Sequence, residues 1–205
     1  GARLDFIRET VRFNGLSTAD PQAVAKMLAP FIANVAGFFR FEGPTKVAAW
    51  GIADYMGVAR NDMDIEVDTQ RSGWKQFIMD RCSLSMRVVG DTAYINDVQA
   101  DFCRGLVSGS GSVYPVLNAT NLRYHLQGNV REVNFQMLTR NLTGQAANQY
   151  RGYLSGQLEL DGFLDDPGGQ TATGQGWIEI GAGRLFQIPL FGGLSEFLGR
   201  IVPGL

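Results

Sequence analysis

Apolar and polar residues alternate along most of the chain between residues 44 and 180. In one run, Met63, Ile65 and Val67 alternate with acidic residues. A period of two is typical of strands that bury one face only, and Gly-containing turn sequences separate such runs at hairpin spacing. The pattern predicts six or seven strands in one antiparallel sheet over 44–180, with only one side of that sheet apolar.

Three segments follow a helical period instead. Asp20-Pro21 is a helix start, because Asp caps free amides and Pro suits the first helical position, and the apolar spacing that follows predicts a helix over 20–38. A short helix is predicted near 134–142. A third apolar stripe, from Leu190 to Val202, predicts an amphipathic helix over 188–202 that caps the end of the sheet.

These elements predict a mainly β fold with some α structure (α+β). The expected architecture is a curved antiparallel sheet that forms an open trough, with two amphipathic helices and the one short helix. Residues 1–19 have the pattern of a strand end, and the 205 residues fit one domain of ordinary size. We expect the whole of 1–205 to be a single segment of a larger protein.

Composition removes several classes of function. The chain is 45% hydrophobic and 19% charged, with a net charge of -2, which disfavours both disorder and nucleic-acid binding. It has one histidine and two cysteines, too few for a zinc site of Cys and His ligands. His125 alternates with Arg123 and Gln127 on a polar strand face, as a solvated histidine would. We predict no catalytic residues, no metal site and no cofactor.

The cysteines and glycines also receive structural interpretations. Cys82 alternates with apolar residues, whereas Cys103 alternates with Gln99 and Asp101, so the two thiols are expected on opposite faces and free. The 26 glycines include Gly-x-Gly pairs at 109–111 and 174–176. These pairs lack the Lys-Ser/Thr of a phosphate loop, which favours glycines at bends and bulges of a curved sheet.

The segments 152–162 and 173–194 carry a more specific pattern. The first reads GYLSGQLELDG, and in the second Gly174, Gly176, Ile178 and Ile180 precede a Gly-Arg-Leu turn and a Pro-Leu. These runs resemble the C-terminal region of AsmA-like proteins, which are envelope proteins of diderm bacteria more distantly related to TamB. Residues 94–109 also look like a strand pair of that family, except for Arg104, where a Gly is expected.

The resemblance implies a long curved sheet that forms a trough with an apolar inner surface. It further implies a role in moving phospholipid between the inner and outer membranes, or in keeping the outer membrane in order. The expected location is the periplasm of a diderm bacterium, with an inner-membrane anchor in the full-length protein. Phospholipid acyl chains and envelope proteins are the expected partners, and nucleic acid is not.

The residues lead to a similar expectation by another route. An apolar sheet face that too few helices cover is typical of a ligand groove or an interface, and acyl chains suit such a groove because they need burial without hydrogen bonds. The alternative is a structural module whose apolar face packs on neighbouring segments or a partner protein without lipid. An enzyme ranks third. The residues expected to face the trough are Leu84, Met86, Val98, Phe102, Tyr124, Leu126, Leu158 and Leu160.

Overall fold

The structure is a computed structural model that describes residues 1–28, 33, 36–37, 39–54, 56–74, 77–116, 118–143, 152–164, 172–181 and 185–190. The fold is mainly β, with a large open antiparallel sheet and helices, as predicted. The strands are β1 (Ala2–Asp5), β2 (Thr10–Ser17), β3 (Phe39–Phe41), β4 (Thr45–Asp54), β5 (Asp62–Thr69), β6 (Ser72–Trp74), β7 (Phe77–Met79), β8 (Arg81–Val89), β9 (Thr92–Phe102), β10 (Gly105–Val116), β11 (Asn118–Asn134), β12 (Tyr153–Phe163), β13 (Thr173–Ile180) and β14 (Leu185–Leu190). The helices are α1 (Pro21–Leu28) and α2 (Phe135–Thr143).

Within these described ranges, eleven strands form one sheet in the order β1-β2-β4-β5-β8-β9-β10-β11-β12-β13-β14, and β3, β6 and β7 form a second sheet. Every neighbouring pair in the large sheet is antiparallel. Within the described part of 44–180 the large sheet has eight strands, where six or seven were predicted: β4, β5 and β8 to β13. The prediction also treated 1–19 as one strand end, whereas β1 and β2 lie there, and it omitted the three-residue strands, which are too short to show a period.

Both described helices begin where a side chain caps them. The Asp20 carboxylate accepts a hydrogen bond from the amide of Gln22 at 3.0 Å, and α1 follows from Pro21. Residues 33, 36 and 37 are also helical, and the rest of the predicted 20–38 helix lies outside the described residues. The Asn134 side chain accepts from the amide of Met137 at 2.9 Å and starts α2, close to the predicted 134–142.

The predicted helix over 188–202 is wrong at its start. Residues 188–190 belong to β14, which pairs with β13 so that Ile188 lies opposite Gly176. The backbone groups along the outer edge of β13 need partners, and a strand supplies them where a helix cannot. Pro189 is tolerated because β14 is an edge strand of the described sheet. The rest of the predicted helix, 191–202, lies outside the described residues.

Two hydrophobic cores lie on one side of the large sheet. In the first core, Ala25 of α1 packs with buried residues of the strands, and Ala33 and Ala36 contact it. In the second core, Phe135 and Leu138 of α2 pack over the opposite ends of the strands, with Phe77 and Met79 of β7 beside them. We call the side of the sheet that carries both cores the inner face.

The strands bend inward near their middles. Between Ile95 and Val98, β9 has one residue more than β8 or β10, which makes a bulge on both sides of that strand. A bulge kinks a strand and increases its twist. At Gly109 in β10, an added Cβ would lie 2.4 Å from the carbonyl oxygen of Gln127, a distance that real Cβ atoms do not adopt. Glycine on the inner face therefore permits the bend, in agreement with the interpretation of the Gly-x-Gly pairs.

Gly109 and Gly128 lie directly opposite each other and provide a matched test of this close approach. We expect Gly109→Ala to lower the free energy of unfolding by about 1–3 kcal/mol, because the new Cβ displaces the neighbouring backbone. Gly128→Ala should change it by less than about 1 kcal/mol, since its Cβ would meet nothing nearer than 3.7 Å. Chemical denaturation measures both changes, and equal effects would contradict this account of the bend.

Candidate functional site

Two adjacent rows of residues cross the middle of the inner face from β5 to β13. The register places Leu84 beside Val98, and the same pairing continues from strand to strand in each row. We call these the middle rows. The first consists of Val67, Leu84, Val98, Gly109, Gly128, Leu158 and Gly176, and the second of Ile65, Met86, Ile95, Gly111, Leu126, Leu160 and Gly174.

Six of the eight residues predicted to face the trough lie in the middle rows, and all six are half-buried: Leu84, Met86, Val98, Leu126, Leu158 and Leu160. The row of inner-face residues on one side of the middle rows is buried. It contains Met63, Val88, Ala93, Val113 and Tyr124, which are between 0% and 3% exposed. On the other side of the middle rows, Thr69, Ala100 and Ile178 are buried, whereas Cys82, Val107 and Val130 are half-buried. The accessible part of the inner face therefore consists of the strip formed by the two middle rows and of these three neighbouring positions.

Phe102 and Tyr124 face the same side but lie in packed surroundings. The ring of Phe77 meets that of Phe102 edge to face, with centroids 5.9 Å apart, in the second core. Tyr124 is 3% exposed in the first core, and its hydroxyl occupies the space where a Cβ of Gly162 would lie. These two residues lie on opposite sides of the strip and do not line its accessible part.

Sequence reasoning missed Ile95. Counting by twos from Val98 and Phe102 assigns Ile95 to the polar face. The extra residue in β9 reverses that assignment, so Ile95 lies between Met86 and Gly111 on the inner face. A signal was present, since Asn96-Asp97 puts two polar residues in succession between apolar ones. Val67 was visible in the alternation but was not counted among the lining residues.

The middle rows suit a long apolar ligand. All fourteen of their residues are apolar or glycine, so the strip offers no charged side chain. It crosses seven strands, and at about 4.8 Å between strands it is roughly 30 Å long. Its long axis runs across the strands because the rows follow the hydrogen-bonding direction. An extended hydrocarbon chain fits such a surface because it needs no hydrogen-bond partner.

The opposite face is polar and solvated. His125 Nδ1 lies 3.2 Å from Asp161 Oδ2, and its Nε2 lies 3.7 Å from Glu159 Oε1, all on the polar face, with about a third of the histidine side chain exposed. Arg87 and Asp62 form an ion pair at 2.7 Å on the same face. Over the ranges that the structure describes, no group of three His, Cys, Asp or Glu residues is placed to hold a metal ion.

Both cysteines are free. The prediction that Cys103 lies on the polar face is wrong. Cys103 is 3% exposed and belongs to the second core. The reason is a two-residue turn between β9 and β10, in which Cys103 and Arg104 have φ of 48° and 64°. This turn ends the alternation and directs the thiol inward. Cys82 is half-buried on the inner face, next to the middle rows.

Comparisons of this chain with family models, with curated proteins and with solved structures find no match. Among the described residues, no helix has the length and apolar character needed to cross a membrane.

The reactivity of the two thiols tests the burial of Cys82 and Cys103. Burial raises the pKa of Cys103 to about 11, an effect that the amide of Asn141 at 3.3 Å only partly offsets, and burial also raises the pKa of Cys82. We expect alkylation of the native chain at pH 8 to be slower at both thiols than in an unfolded peptide, and slowest at Cys103, because the thiolate is the reactive form. The rate at Cys103 should still be rising as the pH approaches 11.

Cys82→Ser and Cys103→Ser variants assign the two rates by mass spectrometry. A Cys103 thiol that reacts in the native chain as fast as a free thiol would contradict its burial.

Proposed function

We propose that this chain is a lipid-binding or lipid-conducting segment of an AsmA-like envelope protein, which moves phospholipid between the inner and outer membranes. The observation that carries the proposal is the strip formed by the middle rows, a continuous apolar surface between two packed cores that is half-buried at every position except the buried Ile65. The resemblance of 152–162 and 173–194 to the AsmA-like C-terminal region supports the same assignment.

The chemistry of the strip favours acyl chains over other ligands. Each buried CH₂ contributes about 0.8 kcal/mol, so a long acyl chain gains affinity without any polar contact. A compact polar ligand would find no partner there, because the fourteen residues have no polar side chain. The phospholipid headgroup would remain in water at the open side of the trough.

The proposal also includes where the chain acts and whether it catalyses a reaction. The chain acts in the periplasm, as part of a longer protein that is anchored in the inner membrane. It performs no reaction and uses no cofactor, because moving a lipid along an apolar surface breaks no covalent bond.

The alternative is a structural module whose inner face packs on neighbouring segments or on an envelope protein. The buried row favours it, since Met63, Val88 and Tyr124 show that the inner face builds ordinary protein cores. The two functions differ in what covers Leu84, Leu126 and their neighbours in the middle rows.

Native mass spectrometry of the chain isolated from bacterial envelopes distinguishes the two. We expect bound phospholipid, and photo-crosslinking from position 158 should link the chain to lipid. Replacing Leu84 and Leu126 together by Asp should lower this crosslinking on the order of tenfold or more, because two charges enter the acyl-chain surface.

The matched control places Asp on the same two strands but on the polar face, as Ser85→Asp with Gln127→Asp. It should bind lipid as the wild type does. Both variants should keep their circular dichroism spectrum, because half-buried positions let a carboxylate reach water. Repeated isolation without lipid, or equal crosslinking in the two variants, would exclude acyl chains from the middle rows.

A further inference from the structure

Large apolar side chains protrude from two loops at one end of the sheet. Phe6 and Ile7, in the turn between β1 and β2, are 77% and 96% exposed. Met56, in the loop between β4 and β5, is 70% exposed. Turns usually carry polar or small residues at their tips, so three large apolar side chains at one end are unexpected. We call residues 5–9, 54 and 56–61 together the loop end.

The two loops of the loop end are held together. The guanidinium group of Arg60 donates a hydrogen bond to the backbone carbonyl of Arg8. Asn61 binds the next turn as well, since its side-chain amide donates to the carbonyl of Gly90 at 2.9 Å and its own carbonyl accepts from the Gly90 amide at 2.9 Å. The two loops that carry the protruding side chains therefore lie side by side at the same end of the sheet.

The backbone at the tips does not depend on water. The carboxylate of Asp5 accepts hydrogen bonds from the amides of Ile7 and Arg8 at 3.1 and 3.0 Å. The carboxylate of Asp54 accepts from the amides of Met56 and Gly57 at 3.2 and 3.0 Å. A loop that enters an apolar medium needs this arrangement, because unpaired amides are costly there.

We propose that the loop end docks on a phospholipid surface. Phe6, Ile7 and Met56 enter the acyl-chain region, and the exposed guanidinium groups of Arg8 and Arg60 remain at the level of the phosphates. Two small, separate tips suit a fluid lipid surface better than a protein, since a stable protein interface buries about 800 Å² on each partner.

Charge does not drive this docking. Glu9 and Asp91 are also exposed at this end, and together with the carboxylates of Asp5 and Asp54 they outnumber the two arginines. Insertion of apolar side chains therefore drives binding, and anionic lipid is not required. The proposal does not depend on the lipid-conducting function, because the loop end lies outside the middle rows.

Flotation of the chain with phosphatidylcholine vesicles, with and without phosphatidylglycerol, tests the proposal. We expect the wild-type chain to bind both kinds of vesicle. Replacing Phe6 and Ile7 together by Ser should weaken binding on the order of 10- to 100-fold, because two large apolar side chains no longer insert. The turn itself should persist, since Asp5 and not these side chains holds it.

Leu16→Ser is the matched control. Leu16 is 73% exposed but lies at the other end of β2, so this variant removes a large exposed apolar side chain without changing the loop end. It should bind vesicles as the wild type does. An equal loss in the control would indicate general surface adhesion and overturn the proposal, as would wild-type binding that persists in the double variant.

A wild-type chain that binds neither kind of vesicle, or that dimerises through the loop end instead, also overturns the docking. The double variant should retain any phospholipid that co-purifies with the wild-type chain, because the middle rows are unchanged. This second measurement separates a failure of docking from a failure of the acyl-chain site.

Discussion

An open sheet with one apolar face has to shield that face from water. In this structure the chain shields the face only in part, and the other features of the fold depend on that. Helix α1 and the helical residues near 33–37 cover one region, while α2 and β7 cover another. Between them the middle rows stay half-buried, apart from the buried Ile65. At about 25 cal/mol per Å² of apolar surface, leaving them accessible sacrifices stability that a closed core would provide. Such a sacrifice is understandable where another molecule occupies the surface.

The bend of the strands places that accessible surface inside a trough. Side chains on the concave side of a bent sheet converge, and at Gly109 and Gly176 even a Cβ would lie within 2.4 Å of a neighbouring carbonyl oxygen. Glycine removes this conflict, and the bulge in β9 adds the kink at the same level. Bend, glycine content and ligand surface therefore depend on one another. A flat version of this sheet would need no inner glycines and would enclose no groove.

The sequence predicted what depends on local period and capping. Alternation is preserved across most strands because each buries one face, so the long strands and six of the lining residues followed from it. The alternation pattern assigned the wrong face where one extra residue or a turn changes which side of the sheet the next side chains occupy. The bulge moves Ile95 to the inner face, and the turn at Cys103-Arg104 directs a cysteine inward against its parity. It also failed at β14, where the unpaired edge of β13 favours a strand over the helix that the apolar spacing near Leu190 suggested. These outcomes depend on pairing partners that are remote in the sequence.

For the lipid-conducting function that we propose, the direction of the strip has a consequence. Because the middle rows run across the strands, the length of the strip grows with the number of strands, by about 4.8 Å for each one, whereas its width does not depend on that number. Length and cross-section are thus independent, which is what a conduit for molecules of one width requires. A groove that ran along the strands would instead be limited by strand length, here at most 17 residues in β11. The alternation of apolar and polar residues within each strand is therefore a local rule that can extend the apolar strip strand by strand.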